Sequence, residues 1–189
     1  RSPEMVYTLI ELGLLDAFLK KRMPEPWRLH RLGSIQRKAM PRWAALCCAL
    51  EKFGCIDSAE EFLAALRLDS RTIRCCSNAE VLVKQPKPAD KAAWKRALCA
   101  YGVDSVSCAA QCYDAFSGGG SARELRAVLK SGECFSMKHL AVTGDDLLEL
   151  GLRGRELGDM LRFLLDYVME YPANNRRELL LTLARGTEE

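Results

Sequence analysis

The chain has 189 residues, of which 49% are hydrophobic and 28% charged, and its formal net charge is +3. This length accommodates one sizeable core or two small helical subdomains. No apolar run approaches the roughly 20 residues that a membrane-spanning helix needs, and the start of the chain lacks the apolar region of a signal peptide. We therefore expect a cytoplasmic globular protein without membrane contact. Because the chain starts with Arg-Ser-Pro, we also expect it to be part of a longer protein.

The first half of the chain has helical periodicity that Pro and Gly interrupt. The predicted helices run from the start to about residue 20, over 27–40, over 42–53 until Gly54, from the capping sequence Ser58-x-x-Glu61, and over 70–84. In the first helix, the residues expected to face inward are Leu9, Leu12, Leu15 and Leu19. Five helices are therefore expected before the stiff connector Gln85-Pro86-Lys87-Pro88.

The second half continues the helical pattern. One helix is expected to end at Gly102, another to cover 104–116, and a third to begin with the cap Ser121-x-x-Glu124 and end at Gly132. No segment alternates with the period of two that marks a strand, so the predicted fold is all-α, a multi-helix array with two helical subdomains. The predicted division is a body-like subdomain at 1–84, a helical connector region at 85–133 and a tail-like subdomain with a glycine hairpin at 134–189.

The tail-like segment carries the clearest pattern. A short helix at 145–150 precedes the hairpin Gly151-Leu152-Arg153-Gly154, and a long amphipathic helix follows until Pro172. The predicted inward stripe of that helix is Leu157, Leu161, Leu164, Leu165 and Val168. Asn174 is expected to cap a last helix. Asp145 and Asp146 form an adjacent acidic pair, and helix capping is a better interpretation for them than metal binding.

Two other compositional features need an interpretation. The nine cysteines include adjacent pairs at 47–48 and 75–76 but no C-x-x-C, so we expect reduced structural cysteines rather than a metal site or disulfides. The basic residues concentrate in two segments: 20–42 has eight basic residues and one acidic, and 67–96 has eight basic and three acidic. Such segments suit a surface that contacts phosphate, although a solvated helix face would have the same composition.

A long ordered set of residues in 134–180 resembles a known family. These residues are Leu140-Ala141, Gly144, Asp146-Leu147, Leu150-Gly151, Arg153-Gly154, Leu157-Gly158, Leu164-Leu165, Pro172, Asn175 and Leu179-Leu180. Their order resembles the C-terminal part of bacterial CCA-adding enzymes, the tRNA nucleotidyltransferases of the poly(A)-polymerase-like class. A weaker similarity covers 61–73, where Arg67-Leu68-Asp69-Ser70-Arg71-Thr72-Ile73 resembles the family's L-R-L-x-N-R-T-I, with Ser70 at the usual Asn.

This resemblance implies the helical body and tail of such an enzyme without its catalytic α/β head. The family carries metal-binding carboxylates in that head, as a glycine-rich turn followed by D-x-D, and this chain has no such motif. The parent enzyme would add C, C and A to the tRNA 3′ end with CTP, ATP and Mg²⁺. The chain itself would hold no cofactor, would be inactive alone, and would bind tRNA from the acceptor stem towards the elbow.

The predicted nucleic-acid-binding residues are Arg153, Gly154, Arg155, Arg71, Arg74 and Lys138. Glycine in the hairpin permits close backbone approach, free amides at a helix start favour an anion, and arginine adds charge-assisted donors. Arg71 and Arg74 have the same opportunity at the start of another helix. The alternative for the hairpin is a turn needed only for packing, with both arginines solvated.

Two other functions remain open from the sequence. The chain could be a helical protein–protein interaction or dimerisation module, including a homodimer, with the basic segments incidental. A free-standing enzyme fits least, because two histidines and no carboxylate cluster leave no catalytic arrangement of a familiar kind.

Overall fold

The computed structural model describes residues 3–23 and 26–186. Within them all regular structure is helical and no strand occurs, so the all-α prediction is confirmed. The α-helices are α1 Pro3–Glu11, α2 Ala39–Lys52, α3 Ala59–Ala65, α4 Ser70–Lys84, α5 Lys91–Ser117, α6 Ser121–Lys130, α7 Gly144–Glu149, α8 Gly154–Glu170 and α9 Arg177–Gly186. Short 3₁₀ helices lie at Asp16–Phe18, Pro26–Ser34, Met137–His139 and Pro172–Asn174.

The chain forms two compact units, and each is assembled from two separate stretches. The first unit consists of the described residues up to Lys87 together with Tyr101–Arg126. The second unit consists of Pro88–Ala100 together with the described residues from Ala127 onward. The helix α5 therefore contributes residues to both units, and its backbone leaves helical geometry at Gly102, where φ is 77° and ψ is 163°. The sequence-based division, with boundaries after residues 84 and 133, stays a prediction.

The first unit has a core of small side chains. Helix α2 packs against α3 and α4. The buried alanine and cysteine residues of this unit include Ala44, Ala45, Cys47, Cys48, Ala49, Cys55, Ala59, Cys75, Cys76, Ala79, Cys108, Ala109, Ala110, Cys112 and Ala115. Small side chains leave little volume between helix axes, so these helices can approach each other closely. Larger residues such as Leu50 and Leu63 complete the core.

The first predicted helix is too long and its inward face is wrong. Helix α1 ends at Glu11, because Gly13 adopts φ 71° in a turn that an L-residue adopts only with strain. Leu9 is 37% exposed and Leu12 is 67% exposed, whereas Ile10 is fully buried. The leucine spacing that predicted an inward stripe therefore continues past the point where the helix stops.

The second predicted helix, at 27–40, is also wrong. A 3₁₀ helix covers Pro26–Ser34, and α2 begins only at Ala39 after Lys38 in extended conformation. Pro41 explains this start, because proline has no amide to donate and fits only the first turn of a helix. The following residues agree with the prediction: α2 continues to Lys52, and Gly54 adopts φ 65° just beyond it.

Helix capping in the first unit agrees with the prediction at the start of α3 and differs from it at the start of α6. Ser58 accepts a hydrogen bond from the Glu61 amide at the start of α3, as expected. Helix α4 covers the predicted 70–84, and Asp69 is its cap, with a carboxylate that accepts the Thr72 amide. At α6, however, the carboxylate of Asp114 accepts the amides of Ser121 and Ala122, so the serine hydroxyl does not cap this helix.

The second unit has a core of large aliphatic side chains. The buried members are Cys134, Leu140, Val142, Leu147, Leu152, Leu164, Leu165, Val168, Met169, Leu180 and Ala184. Leu157 and Leu161 are partly buried against this cluster, so the predicted stripe of α8 is present but deepest in its second half. Among the described residues of this unit, one charged side chain joins the core: Lys95 is fully buried, and its Nζ donates to the Met169 carbonyl at 3.0 Å and pairs with Glu133.

The last helix begins later than expected. Asn174 belongs to the 3₁₀ helix Pro172–Asn174, and its Nδ2 donates to the Tyr167 hydroxyl at 2.6 Å rather than capping a helix. Helix α9 starts at Arg177, and the Leu180 amide bonds the Arg176 carbonyl at 3.0 Å. The prediction that Asn174 is the cap is therefore wrong by two residues.

Candidate nucleic-acid interface

The hairpin between α7 and α8 is fixed by one buried leucine and by glycine. Leu152 is buried, and its amide donates to the Leu147 carbonyl at 3.2 Å, which folds the chain back after α7. Gly151 adopts φ 96° and Gly154 adopts φ 54°. Both values lie in the left-handed region that favours glycine, so the two glycines set the shape of this turn.

The hairpin presents two arginines beside the start of α8. Arg153 occupies the cap position in extended conformation, and its side chain makes no capping hydrogen bond. The side chain of Arg155 is 94% exposed, and its Nε lies 3.5 Å from Oδ2 of Asp159, one helical turn further along. A Cβ placed on Gly154 would meet no atom within 4 Å, so the backbone is open to an approaching group. Two guanidinium groups and uncapped helix amides can together hold an oxyanion.

Acidic side chains limit the positive charge of this surface. Glu156 lies in the first turn of α8, and Asp159 contacts both Arg155 and Arg162, the latter at 3.2 Å. Exposed ion pairs of this type are weak and exchange partners readily. Arg153 has no such partner within the described residues, so it is the least restrained cation of the hairpin.

Asp146 has a structural role in the same unit. Its carboxylate accepts the Thr143 amide at 2.7 Å and hydroxyl at 2.9 Å, while Thr143 accepts the Asp146 amide, which completes a capping box. The other carboxylate oxygen accepts Arg177 at 2.5 Å. The Thr143 backbone bond first, and Arg177 second, lower the pKa of Asp146 to about 2. The capping interpretation of this aspartate is confirmed, and no group of three His, Cys, Asp or Glu residues in 3–23 and 26–186 is placed to hold a metal ion.

The two arginines predicted at the start of α4 differ in their surroundings. Arg71 donates to Asp104 at 2.6 Å, and this bond raises the pKa of the guanidinium further. Arg74 lies one turn along the helix, is exposed, and makes no ion pair in the part of the chain that the structure describes. Both residues belong to the first unit, whereas the hairpin belongs to the second. Arg74 is therefore the freer cation at this helix start.

Lys138 lies on the 3₁₀ helix Met137–His139 and is exposed. Its neighbour His139 packs edge-on against Phe135, with ring centroids 5.5 Å apart. The structure places the lysine in the same unit as the hairpin, but no hydrogen bond or ion pair joins the two within the described residues. The six predicted residues thus occupy three separate places: the hairpin, the start of α4 and this 3₁₀ helix.

One organising residue was not among the predicted site residues. Asn175 accepts the Ala141 amide at 2.8 Å and donates to the His139 carbonyl at 2.8 Å, so it holds the segment that carries Lys138 against the turn before α9. The exposed side chain of Arg176 follows it directly and bonds the Ala173 carbonyl at 3.2 Å. The signal in the sequence that could have drawn attention to this turn is the basic pair Arg176-Arg177, which directly follows Asn175.

The described residues contain no helix that is both long and apolar enough to cross a membrane. The features together define an all-helical protein whose candidate site consists of exposed arginine and lysine side chains rather than of clustered acids. A family model, tRNA nucleotidyltransferase domain 2, matches residues 36–184. Since this match spans most of the chain, the chain belongs to that family, and the resemblance inferred from 134–180 is confirmed. Searches of the curated proteins and of the solved structures return no match.

Proposed function

We propose that this chain binds tRNA through its phosphate backbone as part of a tRNA nucleotidyltransferase that adds CCA to the tRNA 3′ end. The observation that carries the proposal is the family match over residues 36–184. A double-helical RNA is recognised mainly by shape and by phosphate and 2′-OH contacts, which require distributed cations rather than base-reading side chains. Exposed Arg153, Arg155, Arg74 and Lys138 meet that requirement.

The hairpin is the first place at which we expect a phosphate. Arg153 and Arg155 flank Gly154, whose backbone is open to solvent, and the amides of the first α8 turn point out of the helix end. A phosphate would compete with Asp159 for Arg155, and this exchange costs little because the ion pair is exposed. We propose that the chain contacts tRNA along the acceptor stem towards the elbow.

Nucleotide addition would require a cluster of metal-binding carboxylates, and the residues that the structure describes contain no group of three His, Cys, Asp or Glu placed to hold a metal ion. Two metal ions activate the attacking hydroxyl and neutralise the triphosphate in such a reaction. Asp146 is already engaged by Thr143 and Arg177. We therefore propose that a catalytic domain of the same enzyme uses CTP, ATP and Mg²⁺ in the cytoplasm, and that the present chain alone adds no nucleotide.

The binding test is a salt titration of the full chain against labelled tRNA, with a DNA duplex of similar length for comparison. We expect Arg153→Ala with Arg155→Ala to weaken tRNA binding and to reduce the slope of log affinity against log salt by about two, one for each lost phosphate contact. Circular dichroism should remain that of the unchanged chain, since both side chains are exposed.

The matched control is Arg162→Ala with Arg185→Ala, which removes the same charge from exposed positions of the same unit. If the control weakens binding as much as the hairpin variant, bulk charge rather than the hairpin is responsible. If the unchanged chain does not prefer tRNA over DNA, the proposed substrate is wrong. Addition of CTP, ATP and Mg²⁺ to the chain with a tRNA that lacks CCA should leave the tRNA length unchanged.

A second candidate function rests on a different observation. Several large apolar side chains near the start of the chain are exposed: Met5, Leu9, Leu12, Leu14 and Phe18. A cluster of exposed apolar residues in one segment favours a protein-binding surface, which supports docking of another protein or a homodimer. Sedimentation equilibrium distinguishes self-association: a Leu12→Glu, Leu14→Glu variant should remain monomeric at concentrations at which the unchanged chain forms dimers.

A further inference from the structure

The cysteines of the first unit are close neighbours in space. Eight of the nine cysteines are buried and only Cys99 is exposed, and none forms a disulfide in the structure. Six of the buried ones lie on three helices that pack in one core: Cys47, Cys48, Cys75, Cys76, Cys108 and Cys112. Buried thiols of this type are usually inert packing groups, so a reactive pair needs additional geometric support.

Two of the six have that support. The Sγ atoms of Cys75 on α4 and Cys108 on α5 are 3.7 Å apart. One helical turn earlier on both helices, the Arg71 guanidinium donates to Asp104. The two residues of this pair are separated by 33 positions in the sequence, as are Cys75 and Cys108. Towards the other end, the Tyr113 hydroxyl donates to the Leu82 carbonyl at 2.5 Å. The two helices therefore run side by side in the same direction, and contacts on both sides fix the register that brings the two sulfurs together.

The two thiols are electrostatically unequal. The hydrogen bond from Cys108 first, and one from Ser105 second, lower the pKa of the Cys75 thiol, and Arg71 adds to this against the opposing effects of burial and Asp104. Hydrogen bonding to Cys75 and burial raise the pKa of Cys108. Since the thiolate is the nucleophile in cysteine chemistry, Cys75 is the attacking sulfur and Cys108 the partner that keeps its proton.

The neighbouring thiols are less suited to reaction. Burial raises the pKa of Cys76 to about 12, and burial also raises the pKa of Cys47. A hydrogen bond to Cys48 and burial raise the pKa of Cys112. These three sulfurs remain protonated at neutral pH, so proximity alone does not make them nucleophiles.

Access to the pair is narrow. Cys75 is 3% exposed and Cys108 is 2% exposed, so both thiols are covered and a bulky reagent is excluded. The exposed Arg71–Asp104 ion pair lies one turn away on the same two helices. The pair is therefore close to solvent although it is covered.

We propose that Cys75 and Cys108 are a reversible oxidation site that a small peroxide converts into a disulfide between α4 and α5. The Cys75 thiolate attacks one peroxide oxygen, the O–O bond breaks, and the leaving hydroxide takes a proton to give water and a Cys75 sulfenic acid. The Cys108 sulfur then attacks the sulfenic sulfur, the S–O bond breaks, and the thiol proton leaves with the hydroxide as a second water. Two thiols are oxidised by two electrons, and the peroxide is reduced by two.

The product would change the topology of the chain. A disulfide requires the sulfurs to approach by about 1.7 Å, to the usual bond length. The closed loop would run from residue 75 to 108, and it contains the whole stretch Pro88–Ala100 that belongs to the second unit. The disulfide would join the first-unit segments that precede and follow this stretch in the sequence. A reductant would break the disulfide and open the loop again.

The test uses the full chain with Cys99→Ser, which removes the exposed thiol that could link two copies. After hydrogen peroxide treatment and alkylation, trypsin without reduction should release peptides 75–84 and 97–123 joined by a disulfide. Fragmentation of the joined peptides should place the bond at Cys75 and Cys108. A thiol titration under denaturing conditions should show the loss of two free thiols per chain, and dithiothreitol should restore them.

Single substitutions identify the sulfurs independently. Cys75→Ser and Cys108→Ser should each abolish the cross-link, whereas the adjacent controls Cys76→Ser and Cys112→Ser should retain it. The proposal is overturned if the joined peptides are linked through Cys76 or Cys112, if Cys75 accumulates as sulfinic acid without a disulfide, or if no thiol is lost. The peptide map of the unsubstituted pair gives this answer even if a serine variant fails to fold.

Discussion

The two units of this protein pack their helices with different types of side chain. In the first unit, alanine and cysteine dominate the contact between α2, α4 and the second part of α5. In the second unit, leucine, valine and methionine fill the space between α7, α8 and α9. A core of small residues depends on close helix approach, while a core of large residues depends on apolar volume. The two units should therefore respond in opposite ways to a change of side-chain size.

The largest effect is expected from a truncation in the second unit. Leu164 is fully buried on α8, so Leu164→Ala should lower the free energy of unfolding by about 2–5 kcal/mol, because it removes apolar contacts and leaves a cavity. Leu161→Ala, at a half-buried position of the same helix, is the control and should cost less. Urea denaturation gives both values, and equal losses would contradict the assigned depth of the two residues.

The opposite substitution should be costly in the first unit. Ala45 is fully buried on α2, so Ala45→Leu should lower the free energy of unfolding by about 1–3 kcal/mol, because the added volume forces the helices apart. Ala64→Leu on α3 introduces the same side chain at an exposed position and should change stability by less than about 0.5 kcal/mol. If Ala45→Leu is tolerated as well as this control, the first unit is not closely packed.

The smallest effect is a pH-dependent one in the second unit. The pKa of Asp146 is lowered from 3.8 to about 2 by its Thr143 and Arg177 bonds. A lowered pKa in the folded chain stabilises it above the unfolded value, and this contribution is lost as pH falls from about 4 towards 2. The stability difference between the unchanged chain and Asp146→Asn should therefore be constant above about pH 4 and shrink below it.

Asp145→Asn controls for the loss of one carboxylate, since Asp145 is exposed and lies outside the capping box. Thermal denaturation of the three chains between pH 2 and 6 checks the expectation. A difference for Asp146→Asn that does not change over this interval would show that the carboxylate charge is irrelevant to the box.

The contrast between the two units also shows where the sequence alone could predict the buried face of a helix. In the second unit, Leu164, Leu165 and Val168 recur at helical spacing and are all buried, because large apolar residues form a periodic stripe that local sequence records. The start of the chain has a similar leucine spacing, but Gly13 ends α1 first, and Leu12 is exposed. Periodicity predicted the side chains that a helix would bury, and only the backbone could show where that helix ends.

In the candidate site, the local features could be predicted from the sequence, but the contacts between distant residues could not. The hairpin followed from its two glycines, and the capping role of Asp146 followed from its place at a helix start. The pairing of Arg71 with Asp104 could not be predicted, because 33 residues separate the partners and no local pattern relates them. The thiol contact between Cys75 and Cys108 has the same separation, and it too depends on the register of two helices that are distant in sequence.

The interleaved construction of the two units has a consequence for synthesis on the ribosome. The first unit can be completed when Arg126 has emerged, but the stretch Pro88–Ala100 must wait for residues from Ala127 onward. Domains generally fold as they emerge, with the N-terminal parts first. Lys95 emerges 74 residues before Met169, whose carbonyl it bonds in the folded chain. During that interval the partner carbonyl is absent, and burial of the Lys95 side chain without a partner would be unfavourable, so we expect this stretch to stay exposed until the rest of its unit has been made.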